Sequence, residues 1–112
     1  MNAAQFIKIV LGVPGAVEGA HMGHADFRLN GRVFASLGSD EDFGGVGLGE
    51  DDQARMVSAW PGQLEPMGGA WGARGWTKVL FPASRAGPVR EAVGLARAKA
   101  MAGRPGRRRA RR

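Results

Sequence analysis

The apolar residues near the two ends of the chain recur with the period of an amphipathic helix. Near the start they are Ala3, Phe6, Ile7, Val10 and Leu11, and near the end they are Val89, Ala92, Val93, Ala96 and Ala100. Each set occupies one helix face. Pro14 and Gly15 end the first helix, and Pro88 suits the first position of the second. The pattern predicts helices over residues 2–12 and 87–102.

The clearest local signal is a β-hairpin centred on Asn30–Gly31. Strand-like residues 25–29 and 32–37 flank this dipeptide, which is typical of a two-residue type I′ turn. In the register of such a turn, Phe27 faces Phe34. The residues predicted on that sheet face are Phe27, Leu29 and Phe34, and those predicted on the other face are Val33, Ala35 and Leu37.

The middle of the chain alternates short extended segments with glycine-rich turns. Residues 43–48 predict a glycine-rich strand, and the carboxylates that follow favour a helix over 50–60. Residues 62–75 predict a loop around a short extended piece. The last strand spans 76–81, with Thr77, Val79 and Phe81 on one face and Trp76, Lys78 and Leu80 on the other. The order predicts an α+β fold: a single antiparallel sheet with helices packed on one face.

The formal charge of +6 is concentrated at the C-terminus. Residues 103–112 hold six of the 16 basic residues and no acidic one, which leaves 10 basic and 10 acidic residues in 1–102. A tail of this composition cannot form a core. We therefore predict one domain over 1–102 and a disordered arginine-rich tail over 103–112. The chain has no cysteine, and Lys8 interrupts its first apolar run, so we expect a cytoplasmic protein without a membrane segment.

Two ordered blocks of sequence share a pattern with a known family. The first contains Pro14–Gly15, Glu18, His21 and Gly23, followed by the hairpin residues 25–37; the second is the run Trp71–Gly72–Ala73–Arg74–Gly75–Trp76. Both blocks resemble the MmcQ/YjbR family, and the resemblance covers roughly residues 3–100. It implies a frataxin-like (CyaY-like) fold, in which helices cover one face of an antiparallel sheet. It also implies DNA binding, the property usually attributed to this family.

The chain departs from the family pattern at two places. Gly49 stands where family members often carry a basic residue after a strand. The family's Ser-Tyr pair in the last helix has no counterpart, because the chain contains no tyrosine. Both departures remove groups that could contact nucleic acid.

Three motifs bear on possible chemistry. His21, His24 and Asp26 are close in sequence, but odd spacing on one strand sends the two imidazoles to opposite faces, so no metal site is predicted. Gly44–Gly49 precedes a helix but matches no phosphate-loop pattern and is followed by carboxylates, which favours a strand. No serine lies in a nucleophile motif. We expect no enzyme activity and no cofactor.

Two hypotheses about function remain open. The first is largely sequence-independent binding of DNA or another polyanion, assisted by the tail. Its candidate residues are Arg28, Arg32, Arg74, Lys78, Arg104, Arg107, Arg108, Arg109, Arg111 and Arg112. The second is a module that binds a flat small molecule or a protein on the uncovered sheet face, with Phe27, Phe34, Trp71 and Trp76 as candidates. A frataxin-like role in iron handling follows from fold analogy alone and is disfavoured.

Overall fold

The computed structural model describes residues 1–21 and 23–103. These residues form four helices and six strands. In chain order they are α1 (Ala3–Leu11), β1 (Val17–His21), β2 (His24–Leu29), β3 (Arg32–Leu37), β4 (Phe43–Gly47), α2 (Glu50–Ala59), β5 (Leu64–Pro66), α3 (Gly69–Ala73), β6 (Trp76–Leu80) and α4 (Ala86–Ala102). The predicted α+β class is confirmed, and the three predicted helices match α1, α2 and α4 to within one residue.

All strand pairs are antiparallel, in one sheet with the order β1-β2-β3-β4-β6-β5. Helix α4 buries its periodic apolar residues in a core on one face of this sheet, and α1 buries Phe6 and Val10 in the same core, whereas Leu11 is exposed. The largest buried apolar side chains include Phe6, Phe27, Phe34, Leu48, Met56 and Leu64. On the opposite face, side chains such as Arg28, Val33 and Lys78 are exposed or half-buried. We call that face the open face.

The β2–β3 hairpin has the predicted turn and, for the two residue pairs next to the turn, the predicted register. Asn30 and Gly31 both adopt positive φ angles, 56° and 72°, as a type I′ turn requires. The register then shifts after Phe27, which pairs with Ala35. The predicted pairing of Phe27 with Phe34 is therefore wrong, because a β-bulge inserts Phe34 as an extra residue in β3.

This bulge changes which residues of β3 reach the core. Phe34 and Ala35 are consecutive, yet both are buried, and Leu37 is buried with them. The predicted division of these three residues between two faces is wrong, since the extra residue reverses the alternation in the second half of the strand. Val33 and Ser36 lie on the open face.

The glycine-rich segment predicted as a strand over 43–48 is β4, which confirms a strand in place of a phosphate loop. Its glycines permit close packing on both faces. A Cβ on Gly44 would lie 2.7 Å from the ring of Phe6 in the core. A Cβ on Gly45 would collide with the side chain of Met67 on the open face. Glycine is needed at these two positions because neighbouring side chains occupy the space on both faces of the strand.

The segment predicted as a loop over 62–75 contains the short strand β5 and also helix α3, which the sequence did not predict. Five residues are too few to show helical periodicity, and α3 contains two glycines. Its position is fixed by tertiary contacts. Gln53 Nε2 donates to the carbonyl oxygens of Gly72 and Trp76, each at 3.0 Å.

Helix α4 begins at Ala86, so Pro88 is its third residue and not the first. Proline is tolerated there because the N–H groups of a first turn lack intrahelical acceptors. Of the predicted tail over 103–112, only Gly103 belongs to the described residues. The disorder of the tail stays a prediction. None of the described helices, of which α4 is the longest, combines the length and hydrophobicity needed to span a bilayer.

Candidate ligand-binding groove

The open face carries a groove whose floor is formed by small residues. The register aligns one residue from each strand in a transverse row, which from β1 to β5 is Gly19, Asp26, Ser36, Gly45, Lys78 and Glu65. Its centre, Ser36 and Gly45, has little or no side chain. The groove measures about 710 Å³, within the range of small-molecule sites. The sheet therefore offers a flat floor of suitable size for a small ligand.

One wall of the groove is formed by an ion pair on β2. Arg28 Nε lies 3.1 Å from Asp26 Oδ1, and Nη2 lies 3.2 Å from Oδ2. Asp26 is 3 % exposed, and both of its carboxylate oxygens accept a hydrogen bond from Arg28. The hydrogen bond and then the charge of Asp26 raise the pKa of the Arg28 guanidinium. Arg28 has five N–H donors and lines the groove, so it can also bind an anion.

The opposite wall is formed by two tryptophans. The ring of Trp76 lies over β4, where a Cβ on Gly47 would approach it to 3.1 Å. Trp71 packs edge-to-face against Trp76, with ring centroids 6.4 Å apart and planes at 85°. Arg74 lies above Trp71, with Cζ 5.8 Å from the ring centroid. Trp71 remains 60 % exposed, so its indole is available for stacking by a flat molecule.

Lys78 brings a cation into the groove that these indoles line. Its Nζ lies 4.7 Å from the centroid of the Phe43 ring, in cation–π contact. The same atom is 3.9 Å from Glu65 Oε2, which is longer than a hydrogen bond. The ammonium group thus forms an ion pair with Glu65 but no hydrogen bond to it, so its N–H donors can turn to a ligand anion.

The arrangement combines an aromatic stacking surface with two separated cations. Trp76 and Lys78 lie on β6, so a ring against the indoles can place a substituent near the ammonium group. Arg28 lies on β2, three strand spacings or about 14 Å away. A short ligand can reach Lys78 and the indoles together, and a longer one can also reach Arg28.

Four of the cations predicted to contact nucleic acid belong to the described residues, and they do not share one surface. Arg28 and Lys78 line the groove, and Arg74 lies at its rim. Arg32 lies at the end of α4, where its Nη1 is 2.8 Å from the position of a Cβ on Gly103. The remaining predicted residues, Arg104, Arg107, Arg108, Arg109, Arg111 and Arg112, lie outside the described residues.

The aromatic residues predicted for the uncovered face divide into two pairs. Trp71 and Trp76 line the groove. The placement of Phe27 and Phe34 on that face is wrong, because both are in the core and are 0 % and 2 % exposed. They occupy the face that α1 and α4 cover. The two phenylalanines therefore stabilise the fold and take no part in the groove.

Sequence reasoning did not identify Ser36, Phe43 and Met67, which also line the groove. Ser36 reaches the open face only because of the bulge, which has no signal in the local sequence. The position of Phe43 could have been predicted, because it is two residues from Gly45 on β4 and therefore lies on the same sheet face. Met67 is brought in by the β5–β6 pairing and its backbone N–H, which donates to the Trp76 carbonyl oxygen at 2.9 Å.

The two histidines are arranged differently from the prediction. His21 ends β1 and His24 begins β2, and the register pairs them across the ladder. The prediction that both histidines lie on one strand is therefore wrong, because they lie on two neighbouring strands. His24 Nδ1 is buried without a hydrogen-bond partner among the described residues. Among all the described residues, no group of three or more His, Asp or Glu side chains is placed to hold a metal ion.

No protein-family model and no curated protein matches this chain. The resemblance to the MmcQ/YjbR family stays a prediction, although the layered arrangement that it implies is the one observed. What the open face can bind then depends on the residues of the groove.

Proposed function

We propose that this chain is a non-enzymatic binding protein whose groove holds a flat, anionic small molecule. One observation supports the proposal: the edge-to-face pair of Trp71, which is exposed, and the half-buried Trp76 lines the same groove as Lys78. Stacking of a flat ring on such an indole contributes about 1–3 kcal/mol. A carboxylate or phosphate on that ring would accept a charge-assisted hydrogen bond from Lys78.

The floor of the groove favours a flat shape. Gly45 leaves the centre of the sheet without a side chain, and Ser36 beside it supplies only a hydroxyl group. The end of the Met67 side chain and the Ser36 hydroxyl lie directly above Gly45, so a ring would rest on these small or flexible groups. Met67 borders the same space with a flexible thioether, which adapts to ligands of different outline.

Calorimetric titration with 2-naphthoate and its neutral counterpart 2-naphthamide tests this function. We expect the carboxylate to bind more tightly, because only the carboxylate carries a negative charge that attracts the ammonium group of Lys78. Lys78→Met keeps the aliphatic stem and removes the charge. It should weaken 2-naphthoate by about tenfold or more, since hydrogen bonds to charged groups contribute about 1.5–3 kcal/mol. The same change should leave 2-naphthamide nearly unaffected.

Lys8→Met is the matched control, since Lys8 lies on α1 and not among the groove residues. It should bind both compounds as the unmodified chain does. Equal affinity for the two compounds, or an equal loss in both lysine variants, would argue against an anion site at Lys78.

A second candidate function, binding of DNA or another polyanion, is favoured by the distribution of charge. The chain has six arginines after Gly103, whereas residues 1–102 carry equal numbers of acidic and basic residues. Binding through such a segment would not depend on base sequence and would weaken steeply with salt. The resemblance to the MmcQ/YjbR family supports the same candidate.

Replacing the six terminal arginines by glutamine in the full chain tests this second candidate. The unmodified chain should bind two duplexes of unrelated sequence equally, with a slope of log affinity against log salt as steep as about −5. The variant should lose nearly all of this affinity. If it instead retains affinity and prefers one duplex, the folded residues read the DNA.

A further inference from the structure

The two edges of the sheet differ in how well they are protected against further pairing. β5 forms one edge; it has three residues and ends in Pro66, which cannot donate a ladder hydrogen bond. β1 forms the other edge, has five residues, and contains neither proline nor lysine. Its Val17 is 59 % exposed. Within the described part of the chain, no strand pairs with the outer side of β1.

An exposed strand edge of this kind can add another strand through its free backbone groups. We propose that β1 pairs antiparallel with β1 of a second copy of this chain, so that two six-stranded sheets become one continuous sheet. Such pairing is isologous, with a two-fold axis perpendicular to the strands. It does not depend on the function proposed for the groove.

The sequence of β1 favours a second copy as the occupant. In a register centred on Gly19, Glu18 of each copy lies opposite Ala20 of the other. The acidic residue of β1 therefore does not face its own counterpart, which would be destabilising. Gly19 faces Gly19 at the axis, so no side chains meet across that pair. In this register the strand can therefore pair with itself without a contact between like charges.

The same register would place two grooves on one surface. The ion pair of Asp26 and Arg28 lies over Gly19, where a Cβ would be 2.9 Å from Asp26 Oδ1 and 3.5 Å from Arg28 Nε. The two copies of β2 would be three strand spacings apart, about 14 Å. Two Arg28 side chains would then flank the axis on the open face, between the two grooves.

Sedimentation equilibrium of the full chain, with Ala20→Lys and Ala20→Glu, tests the pairing and its register together. Ala20 is exposed, so neither change disturbs the core of one copy. The unmodified chain should show a concentration-dependent monomer–dimer equilibrium. The introduced lysine would lie opposite Glu18 of the other copy, and the introduced glutamate would repel it. Opposite-charge cross-strand pairs contribute about 0.2–1 kcal/mol each.

With two symmetry-related contacts, Ala20→Lys should tighten dimerisation by roughly 2- to 30-fold, and Ala20→Glu should weaken it by a similar factor. Both shifts should shrink at high salt. The circular dichroism spectra of the variants should match that of the unmodified chain. A chain that stays monomeric up to millimolar concentration overturns the proposal. A dimer that both substitutions leave unchanged, or shift in one direction, overturns it equally.

Discussion

The side-chain amide of Asn30 donates a hydrogen bond to the carbonyl oxygen of Ala100, with the two atoms 3.0 Å apart. The same amide nitrogen lies 3.3 Å from the carbonyl oxygen of Gly103. The last carbonyl groups of a helix have no intrahelical donors, so Asn30 caps the C-terminal end of α4. One residue therefore forms the hairpin turn, with φ at 56°, and also joins that turn to the last helix.

Replacing Asn30 separates these two roles. Asn30→Gly keeps a residue that tolerates positive φ and removes only the cap, so we expect a loss of about 1 kcal/mol in the free energy of unfolding. Asn30→Ala removes the cap and adds backbone strain of about 1–2 kcal/mol. Urea denaturation of both variants measures the difference. Equal stability of Asn30→Gly and the unmodified chain would show that the amide contributes nothing as a cap.

Local sequence patterns predict the elements of this fold better than their pairing. The spacing of residues such as Phe6 and Val10 is sufficient for α1, and Asn30–Gly31 is sufficient for the turn. The bulge at Phe34 was not predictable from alternation. It follows from packing, which buries both Phe34 and Ala35 under the helices, and packing depends on residues far away in sequence.

The adjacent glycines Gly44 and Gly45 form a matched pair for testing the two faces of β4. A methyl group on Gly44 would lie 2.7 Å from the ring of Phe6, so Gly44→Ala should cost about 1–3 kcal/mol through overpacking. On Gly45 it would meet the mobile end of Met67 and the hydroxyl of Ser36. Gly45→Ala should destabilise less, because the flexible end of Met67 can move aside, whereas the buried ring of Phe6 cannot.

The binding results should show the reverse order. Gly45→Ala raises the floor of the groove and should weaken 2-naphthoate by about tenfold, equivalent to 1.4 kcal/mol. Gly44→Ala, measured at a temperature where it is folded, should bind as the unmodified chain does. Titration calorimetry and urea denaturation provide the two readouts. Unchanged binding by Gly45→Ala would place the ligand elsewhere.

The pair of Asp26 and Arg28 should show strong coupling in stability. Arg28→Gln leaves the nearly buried carboxylate without its charged partner, and we expect it to lower the free energy of unfolding. Asp26→Asn in the same chain removes the unpaired charge. The double variant should therefore be more stable than Arg28→Gln alone, in urea denaturation at neutral pH. If the two single losses simply add, Asp26 does not depend on Arg28.

The candidate groove could be predicted only in part from the sequence. Alternation in β6 assigns Trp76 and Lys78 to one face, and that prediction is confirmed. Which face the helices cover was not given by alternation, so Phe27 and Phe34 were misplaced. Ser36 joins the groove through the bulge and Trp71 through α3, and both features are set by tertiary contacts.

The most direct test of the groove as a binding site uses the indole N–H signals of the three tryptophans. Trp60 ends α2 and does not line the groove, so it serves as an internal control for Trp71 and Trp76. In nitrogen-15 NMR spectra of the full chain titrated with 2-naphthoate, the Trp71 and Trp76 signals should shift to saturation and the Trp60 signal should stay in place. 2-Naphthamide should give smaller shifts at the same concentrations. Absence of any indole shift at millimolar 2-naphthoate, or a Trp60 shift as large as that of Trp71, would contradict a binding site for flat anions on the open face.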